Sequence, residues 1–184
     1  MSDPARRRLT ASEFIAWAME RPEHEHYELV GGEVVAMAPE RIGHARMKFR
    51  VARRLAEAIE GAGLDCEVFV DGVSLRVNDA TVYEPDVMLR CGPALKSEIN
   101  EITDPLLIVE VLSPSTQGTD TGVKFSDYFG IPPVQHYLLV NPETPVIIHH
   151  RREAGDAIAT QIIRDGRLRL EPPGIEIAGV LPES

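Results

Sequence analysis

Leu106-Leu-Ile-Val-Glu-Val-Leu112 is the stretch of sequence that decides the fold. An apolar run of this length is typical of a strand that is buried on both faces. Its one charged residue is Glu110, and a buried carboxylate costs several kcal/mol unless it is paired or bound to a cation. The stretch therefore predicts a central strand and, at Glu110, a candidate functional site.

Helices and further strands are predicted on both sides of this run. The spacing of Met47, Val51 and Leu55 is that of a buried helix face, and Gly31-Gly32 suits a tight hairpin turn. The predicted helices cover 10–19, 42–60 and 120–129, and the predicted strands 27–37 (a hairpin), 66–70, 72–77, 82–89, 106–112, 136–140, 145–149, 157–163 and 168–170. The last two strands are expected to pair across Asp165-Gly166, and 91–105 and 113–119 are expected to be loops. The fold class is α/β or α+β, a mixed central sheet flanked by helices.

Length and composition limit the possible classes of protein. The 184 residues suit one domain, and a net charge of −10 argues against a protein that coats nucleic acid by charge alone. The absence of an apolar run of membrane length and of a signal peptide favours a cytoplasmic protein without a membrane span. Cys66 and Cys91 are expected to be two buried thiols, and a single disulfide between them is the alternative.

Three polar residues form the strongest candidate site. Asp86 and Glu110 can share a divalent metal if their strands are neighbours, and Lys124 can hold a water or stabilise negative charge. Taken alone, each residue has a structural explanation. Asp86 suits a turn, Glu110 suits a buried ion pair and Lys124 suits the surface.

The order of these residues resembles the PD-(D/E)XK nuclease superfamily, because Glu110 follows Asp86 by 24 positions and a lysine comes after it. More specifically, the chain resembles the Uma-two-like family of putative restriction endonucleases. The matching stretches are Tyr27-Glu-Leu-Val-Gly-Gly-Glu-Val-Val, His44, Glu84-Pro-Asp-Val, Val109-Glu-Val-Leu-Ser-Pro-Ser-Thr, Asp120 with Lys124, and His136-Tyr-Leu-Leu-Val. The resemblance implies a restriction-endonuclease-like αβββαβ core, an added N-terminal helix and hairpin, and a phosphodiesterase that depends on Mg²⁺ or Mn²⁺.

The resemblance also implies boundaries within a single domain spanning 1–184. Residues 1–9 would be a flexible tail, 10–40 the N-terminal helix and hairpin, 41–150 the nuclease-like core, and 151–184 a C-terminal hairpin and tail. One position departs from the superfamily pattern of Glu-x-Lys, since Leu112 stands where the lysine is expected. In the family that the chain resembles, the lysine has moved to the following helix, which fits Lys124.

Other residues are candidates for auxiliary roles. His44 lies on the buried face of the long helix and is either a site residue or a hydrogen-bonded core histidine. Glu28 and Glu33 flank the hairpin turn. Either fits as a ligand or a cap of the site, and at least one is expected to face solvent.

Positive charge is concentrated in residues 41–56, which hold six Lys or Arg and no Asp or Glu. Arg46, Arg50, Arg53 and Arg54 are candidates for contacts with DNA phosphates, and the alternative is a solvated or subunit-pairing face. No aromatic interleaving is expected in this segment, so stacking of single strands is not predicted.

The leading hypothesis is an Mg²⁺-dependent endonuclease that hydrolyses DNA, with Asp86, Glu110, Lys124, His44 and Glu28 as the catalytic set. Asp86 and Glu110 would bind the metal. The alternatives are a non-catalytic nucleic-acid-binding or assembly protein on the same fold, and a metal-dependent hydrolase of a smaller phosphoester. A homodimer is expected, because cleavage of both strands of a duplex requires two sites.

Overall fold

The structure is a computed structural model that describes residues 8–112, 120–155 and 157–181. The helices are α1 (Ala11–Ala18), α2 (Ile42–Ala62) and α3 (Asp120–Gly130). The strands are β1 (Tyr27–Val30), β2 (Glu33–Ala36), β3 (Cys66–Val70), β4 (Ser74–Asn78), β5 (Thr81–Tyr83), β6 (Val87–Cys91), β7 (Glu101–Ile102), β8 (Leu107–Val111), β9 (His136–Asn141), β10 (Val146–Arg152), β11 (Ile158–Ile163), β12 (Leu168–Leu170) and β13 (Ile175–Ile177).

A six-stranded sheet carries the predicted central strand. Its order is β11-β10-β9-β8-β6-β3, and β8 pairs with β6 antiparallel and with β9 parallel. The sheet is therefore mixed, as predicted. In chain order, α2, β3, β6, β8, α3 and β9 follow the expected αβββαβ sequence of elements.

A second sheet, of order β2-β1-β5-β4-β7, was not predicted. The N-terminal hairpin is confirmed, but β5 pairs with β1 and extends it into this sheet. The chain leaves the six-stranded sheet at the turn formed by Asp71 (φ 44°) and Gly72 (φ 66°), so β3 and β4 lie in different sheets. Pro85 separates β5 from β6, and the two halves of the predicted strand 82–89 likewise belong to different sheets.

The side chains of β8 alternate between two cores. Leu107, Val109 and Val111 belong to the core under α2, whereas Ile108 belongs to the core between the two sheets and α3. Because strand side chains repeat with period two, Glu110 lies on the same face as Ile108. The prediction of a strand buried on both faces is confirmed.

Two helix ends follow from local sequence. The Thr10 hydroxyl accepts a hydrogen bond from the backbone of Glu13, whose side chain accepts one from the Thr10 backbone, so the predicted capping box is present. Gly63, at φ 62°, ends α2 in the left-handed conformation that favours glycine.

Two expectations about the rest of the chain are wrong. Strand β11 pairs with β10, and β12 pairs with β13, so the hairpin across Asp165-Gly166 does not form. Cys66 and Cys91 face each other on β3 and β6 and form a disulfide, so they are not free thiols. The predicted loop 91–105 contains the two residues of β7, and the predicted loop 113–119 lies outside the described residues.

Candidate active site

Glu110 is held by two residues of α3. The Tyr128 hydroxyl donates a hydrogen bond of 2.5 Å to Oε1 of Glu110, and Lys124 Nζ lies 3.3 Å from the same oxygen. The Glu110 side chain is 16% exposed. Burial raises the pKa of this carboxyl to about 7, although the charge of Lys124 lowers it. The carboxyl is therefore poised between its neutral and charged forms near neutral pH.

Lys124 connects α3 to the N-terminal hairpin. Its Nζ donates to Oε1 of Glu28 at 2.9 Å, and the same oxygen accepts a hydrogen bond from the backbone N–H of Glu84. The ammonium also lies 4.9 Å from the centre of the Tyr83 ring, within the range of a cation–π contact. Tyr128 follows Lys124 by four residues along α3, so the two side chains share a helix face.

Asp86 lies at the start of β6, next to the end of β8. Its Oδ2 accepts a hydrogen bond of 2.6 Å from the backbone N–H of Val111. Since β6 and β8 are antiparallel neighbours, this bond joins Asp86 to the residue that follows Glu110. From the sequence we expected Asp86 at the end of a strand next to that of Glu110. In the structure Asp86 lies immediately before β6, which is the neighbour of β8.

His44 lies in the first turn of α2 and faces the same end of the sheet. Its Nε2 lies 2.8 Å from the carbonyl oxygen of Val111 and 3.4 Å from Oδ2 of Asp86. A carbonyl can only accept, so Nε2 carries a hydrogen. Hydrogen bonding to Asp86 raises the pKa of His44. The other ring nitrogen, Nδ1, is buried without a hydrogen-bond partner among the described residues and lies 3.5 Å from Oε1 of Glu40.

The sequence analysis missed Lys48, which is 3% exposed. Its ammonium pairs with Glu40, lies 2.5 Å from Oδ2 of Asp71 and lies 3.5 Å from Oδ1 of Asp86. Burial opposes the charge of Lys48, but its hydrogen bonds to Asp71 and Glu40 raise its pKa overall. Helical spacing was the available signal, because Lys48 lies four residues after His44 and four before the buried Ala52.

Side chains from the N-terminal hairpin, α2, β8 and α3 line one cavity of about 740 Å³. Its polar lining includes Glu28, Glu40, His44, Asp86, Glu110 and Lys124. All five residues proposed as a catalytic set therefore line one space. Glu33 does not, because its side chain is 72% exposed and lies 4.0 Å from Arg8.

The donor set of the cavity fits a divalent cation. Glu40, His44 and Asp86 each offer a ligand atom, and these atoms lie within 4.8 Å of one another. Glu28, Glu40, Asp71, Asp86 and Glu110 bring five carboxylates around two lysines, so negative charge is in excess. Carboxylate oxygens suit Mg²⁺ and Mn²⁺.

The four arginines named in the sequence analysis are not part of this cavity. Arg46 and Arg53 are exposed, and Arg50 and Arg54 are half-buried on α2. Arg53 and Arg54 both pair with Glu57. Phe49, within the same basic segment, is 66% exposed, so the expectation of no aromatic side chain among the arginines is wrong.

Comparison with known proteins shows the family of the chain. A family model described as "Uma2: Putative restriction endonuclease" matches residues 11–180, and the chain belongs to this family. It is 31% identical over 173 residues to "Uncharacterized protein slr1290" of Synechocystis sp., covering 93% of this chain and 89% of that protein. It is 32% identical over 151 residues to "Uncharacterized protein sll1609" of the same organism, covering 80% and 82%.

A solved structure is similar in fold. The crystal structure of "a putative nuclease belonging to DUF820" from Anabaena variabilis has a TM-score of 0.67 and covers 89% of this chain and 90% of its own. Sequence identity is 15%, so this likeness shows the shared nuclease-like fold alone. Within the described residues, no helix has the length and hydropathy needed to cross a membrane.

Proposed function

We propose that this chain is a divalent-metal-dependent endonuclease that hydrolyses phosphodiester bonds of DNA. One observation carries the proposal: Asp86, Glu110 and Lys124 line one cavity, with Lys124 Nζ 3.3 Å from Glu110. Membership of the family supports the reaction class. Lys124 replaces, from α3, the lysine that the superfamily pattern expects at Leu112.

Asp86 and Glu110 would hold Mg²⁺ or Mn²⁺. When bound, such an ion neutralises charge on a phosphate and lowers the pKa of a bound water. The carboxylates are oriented for this task by their neighbours. The Val111 N–H holds Oδ2 of Asp86, and Tyr128 and Lys124 hold Oε1 of Glu110.

Lys124 would orient the attacking water and stabilise negative charge on the phosphoryl oxygens. Glu28 fixes its position from the N-terminal hairpin, because Lys124 Nζ lies 2.9 Å from Oε1 of Glu28. His44 supports Asp86 from the other side and connects it to the Val111 carbonyl. Glu28 and His44 are therefore auxiliary residues in this proposal.

Cleavage of plasmid and linear duplex DNA tests the proposal. Activity should require Mg²⁺ or Mn²⁺, and Asp86→Asn, Glu110→Gln and Lys124→Met should each lower it about 100-fold or more, as expected for loss of a group that stabilises the transition state. Glu60→Gln and Lys96→Met, at exposed positions, are the matched controls and should retain activity. Calorimetry with Mn²⁺ should show weaker binding in the two carboxylate variants.

Two results would replace the proposal with a rival. Equal, background-level cleavage by wild type and Lys124→Met would favour a non-catalytic DNA-binding protein. Hydrolysis of a nucleotide without hydrolysis of DNA would favour a hydrolase of smaller phosphoesters.

A further inference from the structure

The outward face of α2 exposes two large apolar side chains among arginines. Ile42 is 71% exposed and Phe49 is 66% exposed. At 3.6 residues per turn, Ile42, Arg46, Phe49 and Arg53 form one stripe opposite the buried Met47 and Val51. We propose that this stripe binds an unpaired strand of DNA, with a base stacked on Phe49.

Part of the positive charge around Phe49 lacks a carboxylate partner in the described parts of the chain. Arg41, Arg46 and Arg50 form no ion pair with a carboxylate in the described parts of the chain, whereas Arg53 and Arg54 share Glu57. No Asp or Glu occurs between positions 41 and 56. Arg46 lies on the stripe, Arg50 lies beside it and Arg41 precedes it as the N-cap of α2, so three guanidinium groups around the stripe are available for phosphates.

The combination of an exposed ring and free guanidinium groups favours an unpaired strand over a duplex. Single-strand sites join basic side chains with aromatic faces on which bases stack. In a duplex the bases already stack on one another, so Phe49 and Ile42 would meet only sugar and phosphate. A second copy of this chain is disfavoured, because a two-fold interface would place the two arginine stripes against each other.

The stripe begins beside the candidate active site, because the residues on either side of Ile42 line the cavity. Arg41 and Gly43, at the start of α2, line the cavity that contains Asp86 and Glu110. With a rise of 1.5 Å per residue, Phe49 lies about 9 Å along the helix axis from Gly43. A strand held on the stripe would lead into the cavity, so this inference rests on the proposed function and names its substrate as DNA with unpaired nucleotides.

Fluorescence anisotropy with labelled oligonucleotides in EDTA tests the inference without catalysis. Wild type should bind a 15-nucleotide single strand more tightly than the matching duplex. Phe49→Ala should weaken single-strand binding about tenfold, within the range for loss of one stacked base, and change duplex binding less than twofold. Phe49→Trp should restore binding, and Ile162→Ala, an exposed apolar control on β11, should leave it unchanged.

Several outcomes would overturn the inference. The first is equal single-strand binding by Phe49→Ala and wild type. The second is an equal loss of single-strand and duplex binding in Phe49→Ala. The third is a dimer in light scattering that Phe49→Ala converts to a monomer. The last would assign the stripe to contact between copies. If the wild-type protein bound single strands through Phe49 but cleaved no DNA, the proposed endonuclease would be contradicted. This inference about the stripe would still stand.

Discussion

Glu110 shows how a costly residue is kept inside an apolar strand. Both of its donors, Tyr128 and Lys124, bind the same oxygen, Oε1. Among the described residues, Oε2 receives no hydrogen bond, which leaves it available to the proposed cation. The raised pKa of about 7 indicates that these two donors do not fully offset burial of the negative charge. Stability and the proposed function of Glu110 therefore conflict.

That conflict predicts a pH-dependent stability gain for Glu110→Gln in EDTA. The pKa of Glu110 is raised from 4.5 to about 7 in the folded protein, so the folded state binds the proton more tightly than the unfolded state. The unfolding free energy of wild type should therefore fall as pH rises from about 4.5 to about 7. Glu110→Gln lacks the titrating carboxyl, so its unfolding free energy should not show this decrease. At about 1.4 kcal/mol per pKa unit, the difference in unfolding free energy should change by roughly 2–3 kcal/mol.

Urea unfolding of both proteins between pH 4.5 and pH 8 measures this difference. Glu60→Gln, on the exposed side of α2, is the control and should show no pH-dependent change relative to wild type. A difference between Glu110→Gln and wild type that stays constant across this range would show that Glu110 is ionised throughout.

Helix α2 shows how much of an element its own sequence predicts. The spacing of its apolar residues gave its length and its buried face, and His44 faces the sheet as that spacing required. Lys48 lies on the same face, but the sequence does not show which carboxylates surround its ammonium. Asp71 and Asp86 reach it from turns that are 23 and 38 positions away, through strand pairings that local patterns do not encode.

Strand pairing was the least predictable feature for the same reason. The turn at Asp165-Gly166 was a sound local signal, yet β11 completes the edge of the large sheet beside β10 and β12 pairs with β13. The disulfide likewise depends on register, because Cys66 and Cys91 become opposite partners only when β3 pairs with β6. The sequence analysis named Asp86, Glu110 and Lys124, which line one cavity, but it did not name Glu40, Lys48 or Tyr128, whose contacts with them depend on the fold.

A buried pair of histidines joins two of these strands to the C-terminal segment. His136 Nε2 donates to the Pro172 carbonyl at 2.7 Å, which leaves Nδ1 to accept from His149 Nε2 at 2.9 Å. Burial lowers the pKa of both, that of His149 to about 4. The pair is therefore neutral at pH 7, and protonation of either ring removes an acceptor or adds a buried charge.

We expect His149→Gln to reduce the loss of unfolding free energy that acid pH causes. The unfolded state binds more protons between pH 6.5 and pH 4, because the folded pKa of His149 is the lower one, so wild type loses stability as pH falls. Gln keeps an N–H for His136 and does not titrate. Between pH 7 and pH 4, chemical denaturation should show wild type losing roughly 2–3 kcal/mol more than the variant. His24→Gln, at an exposed position, is the control, and equal losses in wild type and His149→Gln would contradict the assignment.

At the scale of the whole molecule, the charge distribution matters more than the total. The chain carries −10, yet residues 41–56 carry six positive charges and no negative one. Because Lys48 is buried in ion pairs and Arg53 and Arg54 share Glu57, the surface offers a small positive area within a negative molecule. Contact with DNA should therefore be local, through few phosphates. A homodimer and a single-domain organisation stay predictions.

This distribution predicts a shallow salt dependence for binding of single-stranded DNA. If Arg41, Arg46 and Arg50 each neutralise one phosphate, the logarithm of the association constant should fall with the logarithm of salt concentration with a slope of about −2. Affinity should then drop about 20-fold between 50 and 200 mM NaCl, and Arg46→Ala should make the slope less negative by about 0.7. Arg167→Ala, an exposed arginine in the C-terminal region, is the matched control and should keep the slope. A slope near −5, or one that Arg46→Ala does not change, would mean that the strand crosses a different and larger surface, because the three arginines on α2 could not account for that number of released ions.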